Sequence, residues 1–268
     1  MSTTVTTFRS LHAPATLLVL PNAWDVGSAR LFEAAGAPAV ATTSAGVAWA
    51  NGYRDGNQMP VSAVHALAQG LMRVIRVPVS VDFEAGYSTE PKVVAENVKP
   101  LLELGIAGIN IEDGRDAPEV LERKIAAIRD VVAQGGTDLF INARTDVYLQ
   151  GLVSADNQMA ETLERAKRYR AAGADGVFIP ALANASAIKE ICSSVGVPIN
   201  VLAWAGIPLL EQLKTLGVSR LSAGSSMTQV LWARAETLAQ DFMRTGDSTA
   251  LRTGVKTHGE LQRLFPDT

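Results

Sequence analysis

The sequence predicts an α/β fold, a single (β/α)₈ TIM barrel that takes up the whole chain, residues 1–268. Short apolar runs of strand length alternate with stretches of helical periodicity, and eight such strands follow one another without a linker. Several helical stretches end at a glycine, as in Ala35-Gly36 and Leu216-Gly217. Glycine there is the usual left-handed cap before the chain turns into the next strand. Strands that are apolar throughout are typical of a parallel barrel, which buries both of their faces.

The order of the elements is regular from end to end. The predicted strands cover residues 17–20, 39–43, 78–81, 107–111, 139–143, 176–179, 199–202 and 219–222. The predicted helices between them include residues 25–35, 61–74, 93–104, 121–132, 159–171 and 209–216. A helix over 226–242 and a polar tail follow the eighth strand. Residues 226–268 are therefore a predicted C-terminal helical extension, suited to pack against another subunit.

The composition limits which binding partners and which cellular compartment the sequence predicts. With 24 basic and 27 acidic residues, the chain has no positive excess to neutralise phosphates, so we expect no nucleic acid partner. Cys192 is the single cysteine, which is typical of a reducing compartment. Residues 1–9 are polar and no apolar run is long enough to span a bilayer. The sequence therefore predicts a cytoplasmic protein without a membrane partner.

Acidic side chains gather where the predicted strands end. Asp82 and Glu84 follow the third strand and Glu112 ends the fourth. Because the carboxyl ends of barrel strands meet at one mouth, these three carboxylates would repel one another, and a hard divalent cation would relieve the repulsion. We therefore predict a Mg²⁺ or Mn²⁺ site at these residues, with Asp82 as the direct ligand. The alternative is that the acids only cap helices or form salt bridges.

Arg144, at the end of the fifth strand, is the candidate cation for the substrate. Its planar guanidinium can bind a carboxylate through two hydrogen bonds or stabilise the negative charge of an enolate. The alternative is a structural salt bridge to Asp146 or Asp113.

The segment after the second strand offers neutral hydrogen-bond donors. The hydroxyls of Thr43 and Ser44 and the backbone amides that follow, starting with Ala45, could hold a substrate carboxylate. An ordinary turn is the alternative for this segment. Trp24, which follows the first strand, is also predicted to border the substrate.

Taken in order, the strand-end motifs resemble the isocitrate lyase and phosphoenolpyruvate mutase superfamily over nearly the whole chain. The segments that carry the likeness are Pro-Asn-Ala-Trp-Asp at 21–25, Ser-Ala-Arg at 28–30, Thr-Thr-Ser-Ala-Gly at 42–46, Asp-Phe-Glu-Ala-Gly-Tyr at 82–87, Gly-Ile-Asn-Ile-Glu-Asp at 108–113 and Ala-Arg-Thr-Asp at 143–146.

The resemblance implies a magnesium-dependent enzyme and assigns roles to four acids. Asp82 matches the direct metal ligand, whereas Asp55, Glu84 and Glu112 match acids that hold the metal's water molecules. Asp55 enters the predicted catalytic site through the resemblance alone, since nothing in the spacing of the residues points to it.

The resemblance also implies a ligand and an assembly. The pair Thr43-Ser44 matches the segment that receives the carboxylate of a 2-oxo acid, and Arg144 matches an arginine that contacts the substrate. Family members form dimers or tetramers and often exchange their last helix, which would give the extension over 226–268 a purpose. We therefore expect a homodimer or homotetramer that binds a small 2-oxo acid.

Two departures from the family bear on the reaction. The lyases carry Lys-Lys-Cys-Gly-His on a lid after the fourth strand, whereas residues 112–119 here run almost directly into a helix. Cleavage of an isocitrate needs protons moved at defined positions, so the loss of the cysteine argues against that activity. Pro180 stands where mutases have a histidine, which argues against a phosphonomutase.

The remaining groups suit a simpler reaction. A metal and an arginine are sufficient to stabilise an enolate, so decarboxylation of an oxaloacetate-type acid is the most economical prediction. One alternative is an enzyme that cleaves a C–P or C–C bond in a phosphonate or a larger 2-oxo acid. The other is a non-catalytic protein that binds a 2-oxo acid.

Overall fold

The computed structural model describes residues 3–14 and 16–265 and places nine parallel strands in one sheet. Around the sheet the strands follow the order β1-β9-β8-β7-β6-β5-β4-β3-β2. Their bounds are β1 Leu18–Leu20, β2 Asn22–Ala23, β3 Val40–Thr42, β4 Val79–Asp82, β5 Gly108–Glu112, β6 Phe140–Arg144, β7 Gly176–Ile179, β8 Ile199–Leu202 and β9 Arg220–Ser222.

The first predicted strand, residues 17–20, corresponds to β1, and the sequence did not predict the two-residue strand β2 that follows it; together they close the barrel. Pro21, which has no N–H to donate to a neighbouring strand, separates β1 from β2. β1 pairs with β9, and β2 pairs with β3 on the other side. The sheet thus comes round to meet itself along one interrupted strand. The predicted α/β barrel is confirmed, with nine strand segments in place of eight.

Helices cover the outside of the barrel. The helices are α1 Thr3–Ser10, α2 Val26–Ala34, α3 Ser44–Ala50, α4 Val61–Val74, α5 Pro91–Glu103, α6 Pro118–Gln134, α7 Val147–Gln150, α8 Gln158–Ala172, α9 Ala185–Val195, α10 Leu210–Leu216, α11 Ser226–Thr245 and α12 His258–Gln262. The sequence did not predict α1, α3 or α7. Each is short, and α1 consists largely of threonines, which favour a helix only weakly.

Helix α1 covers the amino-terminal end of the barrel, opposite the carboxyl ends of the strands. Phe8 is fully buried in an apolar cluster with Leu18 and Phe140, and its ring meets the edge of the Phe140 ring at 5.4 Å between centroids. Gly108 is needed for this approach, because a Cβ there would lie 2.9 Å from the Phe8 ring. Arg9 fastens the helix by an ion pair to Asp138 at 2.8 Å.

His12 follows α1 and lies inside the same cluster. Its ring stacks on Phe140 at 4.4 Å between centroids, and Nδ1 lies 2.8 Å from the backbone oxygen of Phe8. Burial, together with the positive charge of Arg220, lowers the pKa of His12 from 6.5 to about 4. The folded protein therefore holds a neutral histidine beneath the barrel.

The C-terminal extension is helical, as predicted, and presents apolar side chains to solvent. Val230 and Met243 of α11 are 68% and 77% exposed, and Trp232 is 43% exposed. The expected pairing with another subunit stays a prediction. Within the described part of the chain, no helix combines the length and the hydropathy that a membrane crossing requires.

Substitution of His12 by glutamine should weaken the pH dependence of folding. A histidine with a lowered folded pKa takes up a proton on unfolding, so the wild-type protein loses stability as the pH falls from about 6.5 toward about 4. We expect His12→Gln to remove up to about 3 kcal/mol of that loss. Urea titrations between about pH 7 and pH 4 measure it, with the exposed His258→Gln as control. Parallel pH profiles for His12→Gln and the wild type would contradict a neutral His12.

Candidate active site

A cavity of about 190 Å³ opens at the carboxyl ends of the strands. Most of the predicted site residues border it, namely Thr43, Ser44, Ala45, Asp55, Asp82 and Arg144. Trp24, Glu84 and Glu112 do not line it. Trp24 packs instead against the edge of Phe32, with 6.1 Å between ring centroids.

Asp82 is the last residue of β4 and is held at one carboxylate oxygen only. Its backbone N–H donates to Thr42 Oγ1 at 2.8 Å, and the Ser44 N–H donates to its Oδ2 at 2.9 Å. Its Oδ1 is buried and has no hydrogen-bond partner in the structure. A buried carboxylate oxygen without a partner is costly, and a bound cation would remove that cost.

Glu84 lies in the loop after β4 and is only 2% exposed. The Tyr87 hydroxyl donates to its Oε1 at 2.7 Å, and the backbone N–H of Asn57 donates to its Oε2. Burial raises the pKa of Glu84, and the Tyr87 hydrogen bond opposes the shift. Because both oxygens have protein partners, Glu84 fits a supporting role behind Asp82.

The loop that carries Glu84 has an unusual backbone. Glu84 and Tyr87 adopt φ angles of 48° and 59°, which non-glycine residues rarely do, and such strain collects at functional sites. Lys124 of α6, which is 2% exposed, donates to the Ala85 carbonyl at 2.8 Å and fixes the loop from below. This contact could not be predicted from the sequence, because Lys124 reads as one charged position on a helix.

Glu112 and Arg144 are neighbours in the sheet, paired across β5 and β6. Glu112 Oε2 lies 2.7 Å from Arg144 Nη1, as an ion pair without a well-aligned hydrogen bond. Arg144 also donates to Asp146 through Nε at 2.7 Å and Nη2 at 3.0 Å. The alternative predicted for Arg144, a salt bridge to Asp146, is therefore present, and Arg144 also lines the cavity. Asp113, the other alternative partner, pairs with Arg165 instead.

Burial and the charge of neighbouring acids raise the pKa values of Glu112 and Asp55. Burial raises the pKa of Glu112, and the negative charge of Asp82 adds to the shift while Arg144 opposes it. Burial and the charge of Asp82 likewise raise the pKa of Asp55, whereas a hydrogen bond from the Ser44 side chain lowers it. Although Asp55 keeps part of its surface in solvent at the cavity mouth, the protein around it still disfavours its charge. A cation in the cavity would offset this repulsion.

The residues present fit a magnesium ion held largely through water. Within residues 3–14 and 16–265, no three His, Cys, Asp or Glu side chains are grouped closely enough to hold a metal by themselves. Mg²⁺ usually keeps several waters and takes only one or two carboxylates. The free Oδ1 of Asp82 suits such a direct ligand, and Asp55, Glu84 and Glu112 are available to hold water.

A buried network behind Arg144 was missed in the sequence. Asp113 accepts hydrogen bonds from the Tyr169 hydroxyl at 2.7 Å, from Arg165 Nη1 at 2.9 Å and from the Asp146 N–H at 2.9 Å. It thereby fixes Asp146, which in turn holds Arg144. Tyr169 and Arg165 belong to α8, far along the chain from Asp113. No local sequence pattern connects them to Asp113, which follows β5.

Polar residues also form the deeper cavity wall. Asn22, Asn110 and Ser222 line it, and Asn110 accepts a hydrogen bond from Asn142 at 2.9 Å. Their signal in the sequence is a polar residue inside an otherwise apolar strand, which marks an inward position with a partner.

The fold and the cavity define a parallel barrel with an open cavity at the carboxyl ends of its strands, which is where enzymes of this fold have their active sites. The sequence profile of the phosphoenolpyruvate phosphomutase family matches residues 8–243. The chain therefore belongs to that family, within the isocitrate lyase and phosphoenolpyruvate mutase superfamily of lyases and mutases, and the resemblance drawn from the motifs is confirmed.

The proteins that are similar to this chain carry different functional names. An uncharacterized protein of Mycobacterium tuberculosis strain H37Rv is 39% identical over 219 residues, which cover 81% of both chains. The 2-methylisocitrate lyase of Escherichia coli K12 is 26% identical over 271 residues, covering 95% of this chain and 89% of that one. A crystal structure of a proposed phosphonomutase from Burkholderia cenocepacia J2315 matches with a TM-score of 0.84 and 36% identity, over 89% of this chain and 100% of that one.

Removal of the Tyr169 hydroxyl should loosen the network behind Arg144. Asp113 would lose one of its three donors while staying buried, so Tyr169→Phe should lower the free energy of unfolding by about 1.5–3 kcal/mol. Tyr148→Phe, at a half-buried position on α7, is the matched control and should cost less than about 0.5 kcal/mol. Denaturant titration measures both. Equal losses in the two variants would rule out a special contribution from this hydrogen bond.

Proposed function

We propose that this protein is a Mg²⁺-dependent carbon–carbon lyase that acts on a small 2-oxo acid, with decarboxylation of an oxaloacetate-type acid as the reaction. The observation that carries the proposal is the buried, unpartnered Oδ1 of Asp82 in a cavity that also contains Arg144. An anionic substrate and a cation both have a partner there. When bound, Mg²⁺ would supply Lewis-acid stabilisation of the negative charge that develops on the 2-oxo group.

The start of α3 supplies the donors for the substrate carboxylate. The Ser44 N–H is already committed to Asp82. The Ser44 hydroxyl donates to Asp55, so the Thr43 hydroxyl and the Ala45 N–H remain for the substrate, and both residues line the cavity. In this arrangement the segment that orients the substrate also orients the proposed metal ligand, so substrate and cation would be held in a fixed relation.

Arg144 would hold the charge released by bond cleavage. A guanidinium has five N–H donors, of which two bind Asp146 and one side faces Glu112, so donors remain for the cavity. In decarboxylation the electrons of the breaking C–C bond pass into the 2-oxo group, CO₂ leaves, and an enolate remains until water protonates it. The guanidinium of Arg144 is already in place in the confined cavity, so it would stabilise that charge without having to reorganise.

The short connection after β5 favours this reaction over cleavage of an isocitrate. Glu112 ends β5 and α6 begins at Pro118, so little chain is available for a lid. The single cysteine, Cys192, packs against an apolar cluster on the outside of β7 and β8, and burial raises its pKa to about 12. A thiol is therefore unavailable as a proton donor in the cavity, and decarboxylation does not require one.

A second candidate is cleavage or rearrangement of a phosphonate or a larger 2-oxo acid. The 36% identity to the proposed phosphonomutase from Burkholderia cenocepacia favours it. Two features of the cavity weigh against it. Arg144 is the one cationic side chain among the described residues that line the cavity, although a phosphonate would add further negative charge, and Pro180 supplies no donor. The protein could also bind a 2-oxo acid without turning it over.

A substrate panel with and without chelator tests the proposal. We expect Mg²⁺-dependent pyruvate release from oxaloacetate, lost with EDTA and in Asp82→Asn, because the amide cannot replace a charged ligand. Phosphonopyruvate, isocitrate and 2-methylisocitrate should not react. The exposed Asp241→Asn serves as the control variant and should keep full activity. Turnover that persists in EDTA, or an active Asp82→Asn, would overturn the metal assignment, and turnover of an isocitrate would overturn the decarboxylase assignment.

Oxalate binding separates the enzyme from a binding protein. Calorimetric binding of oxalate that requires Mg²⁺, without turnover of any member of the panel, would favour the non-catalytic alternative.

A further inference from the structure

A fully buried arginine lies directly behind the cavity wall. Arg220 on β9 is 0% exposed and stands two residues before Ser222, which lines the cavity. Residues two apart on a strand share a face of the sheet, so both point into the barrel. Arg220 Nε lies 3.0 Å from Ser222 Oγ and donates to it. The guanidinium is thus one hydrogen bond away from the surface that a substrate would touch.

The rest of this guanidinium has no partner among the described residues. Within that part of the chain, Nη1 and Nη2 of Arg220 make no hydrogen bond, and neither does the amide nitrogen of the adjacent Asn200. In the described part of the chain no carboxylate lies within ion-pair distance of Arg220, which distinguishes it from Arg144 and Arg165. Arginines that are buried are normally paired, because an uncompensated buried charge costs several kcal/mol.

The charge of Arg220 persists at neutral pH. Burial lowers the pKa of Arg220 to about 10, and the negative charge of Asp82 opposes the shift. Asp82 is the carboxylate that acts on Arg220, so the field of the guanidinium reaches the proposed metal ligand.

The charges on the other side are paired with one another, because Arg9 forms ion pairs with Asp138 and Asp175. His12 lies on the far side of Arg220, and its own pKa of about 4 keeps it neutral. Phe8 and Phe140 pack around His12 and carry no charge. In so dry a region a charge acts over a longer distance than in water. Its principal effect therefore falls on the cavity.

We propose that Arg220 is a positioning residue that acts through the electric field of its guanidinium. Its unpaired charge strengthens binding of a doubly negative substrate in the cavity. The same charge weakens binding of the divalent cation at Asp82. The inference deepens the proposed function and rests on it. A dianionic 2-oxo acid enters a cavity whose wall carries Asp55 and Asp82, and whose Arg144 is already paired with two acids. Arg220 supplies the positive charge that this wall lacks.

Opposite effects on a cation and an anion distinguish this role from a structural one. Arg220→Met removes the charge and keeps an unbranched apolar side chain, whereas Arg220→Lys keeps the charge. Calorimetry with Mn²⁺ alone, and then with oxalate on the Mn²⁺-loaded protein, measures the two affinities. We expect Arg220→Met to weaken oxalate binding by about tenfold and to tighten Mn²⁺ binding by about threefold. Arg220→Lys should stay within about threefold of the wild type for both ligands.

Two controls make the result decisive. Arg170→Met removes the same charge from α8 on the outside of the barrel, where Arg170 donates to the Val195 carbonyl, and should leave both affinities unchanged. Pyruvate, a monoanion, should lose less affinity in Arg220→Met than oxalate does. If Arg220→Met does not fold by circular dichroism, Arg220→Gln, which can still bond Ser222, is measured in its place.

Each outcome decides between the inference and the proposed function. Mn²⁺ and oxalate affinities that fall together in the charge-free variant, or that do not change, would overturn the role of Arg220 alone. A wild-type protein that binds oxalate without a metal, or binds neither ligand, would overturn the proposed function and this inference with it.

Discussion

Asp82 is half-buried at the end of β4, with one carboxylate oxygen held by the Ser44 amide and the other, Oδ1, buried without a partner among the described residues. The arrangement of the rest of the cavity follows from this imbalance. The same short helix that satisfies Asp82 would present donors to the carboxylate of the proposed substrate, and the raised pKa values of the neighbouring acids Asp55 and Glu112 favour a bound cation. An oxygen-only set of this kind matches the preference of Mg²⁺.

Contacts outside the cavity keep this arrangement rigid. Lys124 holds the Ala85 carbonyl in a loop whose Glu84 has a positive φ, and Asp113 fixes the carboxylate that anchors Arg144. Lys124 lies on α6, and Tyr169 and Arg165, which hold Asp113, lie on α8, so long helices fix these supports. Under the proposed function, the short connection between β5 and α6 would leave the reaction to the metal, Arg144 and water.

The sequence predicted the barrel and the acids at its strand ends because both depend on local patterns: apolar runs of strand length, and a polar residue where each run stops. Asp55 lies in a loop of no regular pattern and became visible only through resemblance to a family. Arg220, Lys124 and the partners of Asp113 could not be predicted, since their roles depend on contacts between elements far apart in the chain. Helix α1 was missed because only two of its side chains, Val5 and Phe8, are buried apolar residues.

The most direct test of the central claim is anomalous diffraction from crystals grown with Mn²⁺ and oxalate, since Mn²⁺ is an accepted substitute for Mg²⁺ at oxygen ligands. The account predicts one strong anomalous peak in the cavity, at about 2.2 Å from Asp82 Oδ1, with oxalate on the same ion. A peak bound elsewhere, or an ion in the cavity that Asp82 does not touch, would contradict the account.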